Sequence, residues 1–193
     1  MITQIKGRLV EKSPTHVVID CNGIGYEVNI SLHTFSNLSA EENIQLFTHL
    51  QVREDAHTLY GFFTVLERAV FRLLIAVSGI GTSTARTMLS SLSPLEIQTA
   101  IAAGDVATIQ GVKGIGLKTA QRVIIELKDK INGLPEGTEI PVPKSNTIKD
   151  EALSALEVLG YSRKSSEKVV DNLIQGNPDS TVENIIKAAL NKL

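Results

Sequence analysis

The 193-residue chain contains one cysteine, no tryptophan, and only five phenylalanines and three tyrosines. A lone Cys21 excludes an internal disulfide and a multi-cysteine metal site, and it suits a reducing compartment. With so few aromatics, the cores must be built mainly from Ile, Leu, Val and Ala. No apolar run approaches the roughly 20 residues that span a bilayer, and the N-terminal "MITQIKGRLVEK" lacks the apolar stretch of a signal peptide. The expectation is a cytoplasmic protein with no membrane partner. The four histidines, His16, His33, His49 and His57, are scattered without HxE or HxxxH spacing, so no metal centre is expected.

A strong charge of either sign is also missing, the net charge being −2. Its distribution is more informative than its sum. Residues 1–62 carry four Lys/Arg against seven Asp/Glu, residues 63–133 eight against five, and residues 134–193 seven against nine. Only the middle third is basic. That excess alone is weak, because a solvated mixed-charge helix face gives the same count.

What the middle third does contain is a repeat. Residues 77–85 read "VSGIGTSTA" and residues 112–120 read "VKGIGLKTA", 35 residues apart. Each GIG follows an apolar helical pattern and precedes another. Leu66, Val70, Leu73, Leu74 and Val77 recur at spacings of three and four before the first copy, and Ala120, Val123, Ile124, Leu127 and Ile131 do so after the second. Thr64-x-x-Glu67 and Ser93-x-x-Glu96, the latter with Pro94 at the first helical position, read as capping boxes.

The flanking thirds have different grammar. Residues 1–63 give five β-type stretches: "ITQIKGRLVEK", "THVVIDC", "IGYEVNI", "IQLFTHLQVRE" and "HTLYGFF". Asn22-Gly23 supplies a strong hairpin turn, and a short helix fits near "LHTFSNL". Five short strands suggest a small barrel, with the oligonucleotide-binding (OB) fold leading and an SH3-like barrel as the alternative. Residues 64–132 are all helical, and residues 133–146, "GLPEGTEIPVPKSN", read as a linker. Residues 147–193 read as three short helices, near 148–159, 163–175 and 179–192. Gly160 is placed to cap the first, and Pro178 with Ser180-x-x-Glu183 to start the last. The expected architecture is therefore α+β and multidomain, with a barrel, a helical domain, a linker and a three-helix bundle small enough to serve as a docking module.

A GIG turn between helices has a specific chemical use. Glycine permits positive φ and leaves no Cβ between the peptide plane and an approaching group. The central Ile80 or Ile115 can anchor the turn inward. The first amides of the following helix lack intrahelical acceptors and carry the positive end of the helix dipole. Together these make an anion site suited to phosphate, which grips a nucleic-acid backbone without reading sequence. A single copy is equally a plain helix–helix turn, whereas two copies favour two grips in fixed register. The candidate DNA-binding residues are Gly79, Gly81, Thr82, Ser83 and Thr84 in the first copy, and Lys113, Gly114, Gly116, Lys118, Thr119 and Arg122 in the second. A nucleotide P-loop is disfavoured: Gly111, Gly116 and Lys118-Thr119 approximate it, but Leu117 separates the second glycine from the lysine. No cofactor is implied.

Two GIG turns between helices look like tandem helix–hairpin–helix motifs. The order of barrel, tandem motif, linker and helical tail, with "VREDAHTLYGF" before the first motif and "ALEVLGY" after the linker, resembles the RuvA family of bacterial Holliday-junction-binding proteins over essentially the whole chain. The resemblance implies a non-catalytic subunit acting in recombination and repair. It implies a homotetramer holding an open four-way junction, with one or two tetramers per junction, and a tail at 147–193 that docks the hexameric ATPase motor RuvB. A junction resolvase is a further implied partner. Glu54 and Asp55 match the family's acidic pin, projecting where strands exchange. Leu156, Leu159 and Tyr161 match the motor-docking surface, although the same residues serve equally as core of the small bundle. One departure stands out: the family often has a basic residue just after the first GIG, and here Thr82-Ser83-Thr84 follow.

Overall fold

The Asn22-Gly23 turn takes φ of 56° and 91°, the left-handed pair that joins antiparallel strands with the right twist. It connects β2 (His16–Cys21) to β3 (Ile24–Ile30) in a computed structural model that describes residues 1–38, 42–131, 133–134, 148–177 and 180–192. β1 (Gln4–Lys12), β4 (Asn43–Val52) and β5 (His57–Phe62) complete a closed barrel in the order β1-β2-β3-β5-β4. β1 serves two neighbours: its first half pairs with β4 and its second half with β2, Arg8 lying opposite both Asn43 and Asp20. At Gly7, beside this handover, any Cβ would collide with the Asp20 carbonyl, so only glycine fits. An irregularity between Leu9 and Glu11 bends the strand further. β3 and β5 run parallel, and helix α1 (Leu32–Asn37) lies between β3 and β4. Five strands closed in this order are an OB-fold. Ile5, Val17, Ile19, Val28, Ile30, Ile44, Leu46 and Leu59 fill it.

Helices α2 (Val65–Ile75), α3 (Thr82–Ser91), α4 (Pro94–Ala103), α5 (Val106–Gln110) and α6 (Leu117–Ile131) share a second core around Phe71, Leu74, Met88, Leu89, Ile97, Ile101 and Leu127. The two cores meet at an aromatic seam, where the Phe71 ring lies 4.8 Å from Phe62, 5.3 Å from Tyr60 and 5.6 Å from His49. Beneath it Glu67 is fully buried, accepting from Ser31 Oγ at 2.5 Å, Thr34 Oγ1 at 2.7 Å and the Phe63 amide at 3.0 Å. Burial pushes its carboxyl above the ordinary range, against the pull of those hydrogen bonds. Ser93 and Glu96 form the reciprocal capping box. Thr64 caps the Glu67 amide, but the Glu67 side chain does not return the bond, because α1 and the Phe63 amide claim it.

The chain divides into two compact units, Met1–Ile140 and Pro141–Leu193. The second contains α7 (Ile148–Val158), α8 (Arg163–Gly176) and α9 (Val182–Leu190) around Ala152, Leu153, Leu156, Val170, Ile185 and Ala189. Gly160, at φ 97°, ends α7: its amide donates to the Glu157 carbonyl and the Tyr161 amide to the Leu156 carbonyl, a Schellman cap. α9 is capped by Thr181, not Ser180, since the Thr181 hydroxyl accepts from the Asn184 amide. Pro178, and the linker reading for 133–146 apart from Gly133 and Leu134, lie outside the described residues.

Candidate nucleic-acid interface

The two GIG stretches share one turn geometry at their first glycine and one hydrogen-bond pattern. Gly79 has φ 94° and Gly114 φ 91°, which their repeated glycine identity makes inexpensive. The Ile80 amide donates to the Val77 carbonyl at 3.0 Å, and Ile115 to Val112 at 3.1 Å. The next helix is entered identically, with Ala85 donating to Gly81 and Ala120 to Gly116, both at 2.9 Å. Ile80 and Ile115 are buried, anchoring each turn in the helical core, while all four flanking glycines are exposed.

Gly81 and Gly116 carry the sharper information. Neither is among the glycines with positive φ, and a Cβ built on either meets nothing within 4 Å. Neither backbone strain nor internal packing therefore requires glycine there. The space they leave open faces outward. Among the helices whose entry is described, those that follow are also the ones entered without help: α1, α2, α4, α5, α8 and α9 each begin under a side-chain cap, from Ser31, Thr64, Ser93, Asp105, Ser162 and Thr181. α3 begins at Gly81 with no side-chain cap, and at Gly116 there is no side chain to provide one. Among the described residues, the amides of Thr82, Ser83, Leu117 and Lys118 find no acceptor. Each turn thus presents free donors at a positive helix end behind a bare surface, which is an anion cradle.

Side chains around the cradles differ. Lys113 and Lys118 are exposed at the second turn, with no carboxylate partner among the described residues. At the first, Ser83 is exposed and Thr84 half-buried, but Thr82 retains only 5% of its surface. Its Oγ1 accepts from the Tyr60 hydroxyl at 2.9 Å, so this residue faces the barrel and not the cradle. Thr119 is half-buried. Arg122 does not stand free beside Lys118: its Nη1 donates to the Ser78 carbonyl of the first turn at 3.1 Å, and its Nε lies 3.8 Å from Glu126.

Glu54 and Asp55 sit exposed at the β4–β5 turn, which an Arg53–Ala56 backbone bond of 2.9 Å closes. Neither has a cation partner among the described residues. The three tail candidates separate. Leu156 is wholly inside the bundle and Tyr161 leans on its core, whereas Leu159 is 56% exposed and its neighbour Val158 88% exposed. Leu156 is thereby a core residue, at the inward phase of α7; Val158, which the sequence reading omitted, lies on the outward phase. Tyr60, Arg86 and Glu67 were also missed as determinants of this region, since the side chains they bond, Thr82, Asn29 and Thr34, lie 22, 57 and 33 residues away.

Three family models match the chain: the RuvA N-terminal domain over residues 1–61, a SAM-like helix-hairpin-helix tandem over 71–129, and the RuvA C-terminal domain over 147–193. Over all 193 residues, and the full length of both proteins, it is 62% identical to the Holliday junction branch migration complex subunit RuvA of Christiangramia forsetii. The chain belongs to the RuvA family. The RuvA of Flavobacterium psychrophilum is 60% identical over the same span, and that of Bacteroides thetaiotaomicron 45% over 201 aligned positions, again covering both chains completely. The helix-hairpin-helix tandem match spans both cradles, and among the described residues of this RuvA-family chain no helix is long and apolar enough to cross a membrane.

Proposed function

We propose that the chain is the junction-binding subunit of a branch-migration complex: it binds four-way DNA junctions by structure, not sequence, and recruits a hexameric motor. The observation that carries this reading is the pair of matched cradles, each with a glycine that the fold itself does not require. Phosphates approach Gly79–Gly81 and Gly114–Gly116, meet the free amides at the starts of α3 and α6, and are neutralised by Lys113 and Lys118, with Ser83, Thr84 and Thr119 as hydroxyl donors. Four copies around a junction supply eight grips. Glu54 and Asp55, uncompensated at the tip of a turn, repel phosphates and keep duplex from lying across the centre. The subunit performs no bond chemistry, and the motor, the RuvB hexamer, docks on the exposed Val158–Leu159 edge of the second unit. A junction resolvase acts on the same bound junction.

The test is a gel-shift comparison of a four-way junction with linear duplex of equal arm length at matched salt. Preferential junction binding that weakens steeply as salt rises is expected. Equal binding to both substrates overturns the structure-specific reading, and strand scission on adding Mg²⁺ overturns the non-catalytic one.

A further inference from the structure

We propose that Arg122 is a positioning residue, a strut that fixes the separation of the two phosphate cradles by holding the second onto the first; this rests on the junction-binding reading. Arg122 lies six residues beyond Gly116 on α6, yet its guanidinium ends on the first turn, donating to the Ser78 carbonyl at 3.1 Å. Ser78 immediately precedes Gly79 and follows the end of α2, where carbonyls have left the helical ladder and attract a cation. Glu126, one turn along α6, lies 3.8 Å from the Arg122 Nε and steadies the fork from its other side. A planar guanidinium can satisfy both at once, which a lysine ammonium on its flexible stem does less well.

The contact is not a product of the repeat. A shift of 35 residues takes Arg122 to Thr87, whose hydroxyl turns back onto its own helix, donating to the Ser83 carbonyl at 3.1 Å. Among the described residues, the arm between the copies runs one way, from the second to the first. The first copy is in turn fixed to the barrel. Tyr60 donates to Thr82 at 2.9 Å, and Arg86 donates to Asn29 Oδ1 at 2.8 Å and to the Thr15 carbonyl at 3.3 Å. The support runs in series: barrel, α3, first cradle, Arg122, second cradle. Arg122 therefore spends its charge on a protein carbonyl, and Lys113 and Lys118 remain as the phosphate cations.

Two measurements on the full chain separate a strut from a phosphate ligand. In the DNA-free protein, Arg122→Ala is expected to raise hydrogen exchange about tenfold at the Ile80 amide, which donates to the Val77 carbonyl inside the first turn, as loss of a charged hydrogen bond would, while Lys118→Ala leaves it unchanged. Exchange within the barrel serves as the control for folding. In junction binding, Lys118→Ala is expected to lower the slope of log affinity against log salt by about one, the mark of a lost phosphate contact. Arg122→Ala weakens binding at unchanged slope, and Arg122→Lys, which keeps the charge without the fork, fails to restore the slow exchange. Unchanged exchange in Arg122→Ala, or a slope reduced as in Lys118→Ala, overturns the strut. If the wild type shows no junction preference, the functional reading fails instead, and the exchange measurement still decides the strut.

Discussion

The two GIG turns share a backbone and differ in what surrounds it. Gly81 and Gly116 enter their helices in the same way, yet the residue that follows is Thr82 in one and Leu117 in the other. Thr82 is buried against Tyr60 of the barrel, while Leu117 is 51% exposed. One position later, Ser83 stands where the second copy has Lys118. The two copies share the part of the cradle made by main chain. Their side chains differ, giving support in the first copy and charge in the second.

The comparison breaks most severely if the bare surface of a cradle is filled. Gly116→Leu is expected to cost about 100-fold in junction affinity, corresponding to about two lost charged hydrogen bonds, with stability lowered only by the roughly 1 kcal/mol that leucine costs at a helix start, since a Cβ there enters open space. Gly81→Leu is expected to cost about tenfold, the smaller loss marking the weaker grip, as measured by gel shift at one salt concentration. Equal losses would show the grips to be equivalent despite their side chains.

A second substitution removes the asymmetry. Ser83→Lys gives the first cradle the cation its counterpart has, and the salt slope of binding is expected to steepen by about one for each added phosphate contact. Smaller still is the effect at the seam: Thr82→Val leaves the Tyr60 hydroxyl without its acceptor, costing about 1–2 kcal/mol of stability, read as a fall in Tm of several degrees. Junction affinity is expected to change less than twofold.

The gentlest probe is pH. The buried Glu67 carboxyl has its pKa raised above the ordinary 4.5. The folded protein thus binds a proton that the unfolded chain has already released. Stability from this group is fully present below about pH 4.5 and is lost as pH rises through the raised value. Glu67→Gln is expected to flatten that decline in a series of denaturant melts, whereas Ser83→Lys leaves it in place.

Much of this was legible in the sequence, and the reason is locality. The Asn22-Gly23 hairpin, the Ser93–Glu96 box, the Gly160 cap and both GIG turns are fixed by residues within four or five positions of one another. The inward stripe of α6 follows from its periodicity alone, all five expected positions being buried. What escaped was the destination of polar side chains across the fold. Thr82 and Arg122 read as candidate phosphate donors from their place beside the GIG turns, and nothing in a linear reading shows that a tyrosine 22 residues upstream or a carbonyl 44 residues upstream takes them first. Leu156 and Leu159 were indistinguishable by residue type. The phase of α7, and the glycine that ends it, put one inside and the other out.

The buried carboxylate beneath the aromatic seam also bears on how the first unit is assembled. Ser31 and Thr34 belong to the barrel half of the chain, Phe63 sits at the boundary, and Glu67 belongs to the helical half. A gene cut near residue 63 would leave one fragment with two unanswered hydroxyls and an open apolar face, and the other with a carboxylate and Phe71 stripped of their lid. Barrel and helices are therefore expected to melt in one cooperative transition. A truncation meant to isolate the DNA-gripping helices has to retain the barrel to keep them folded.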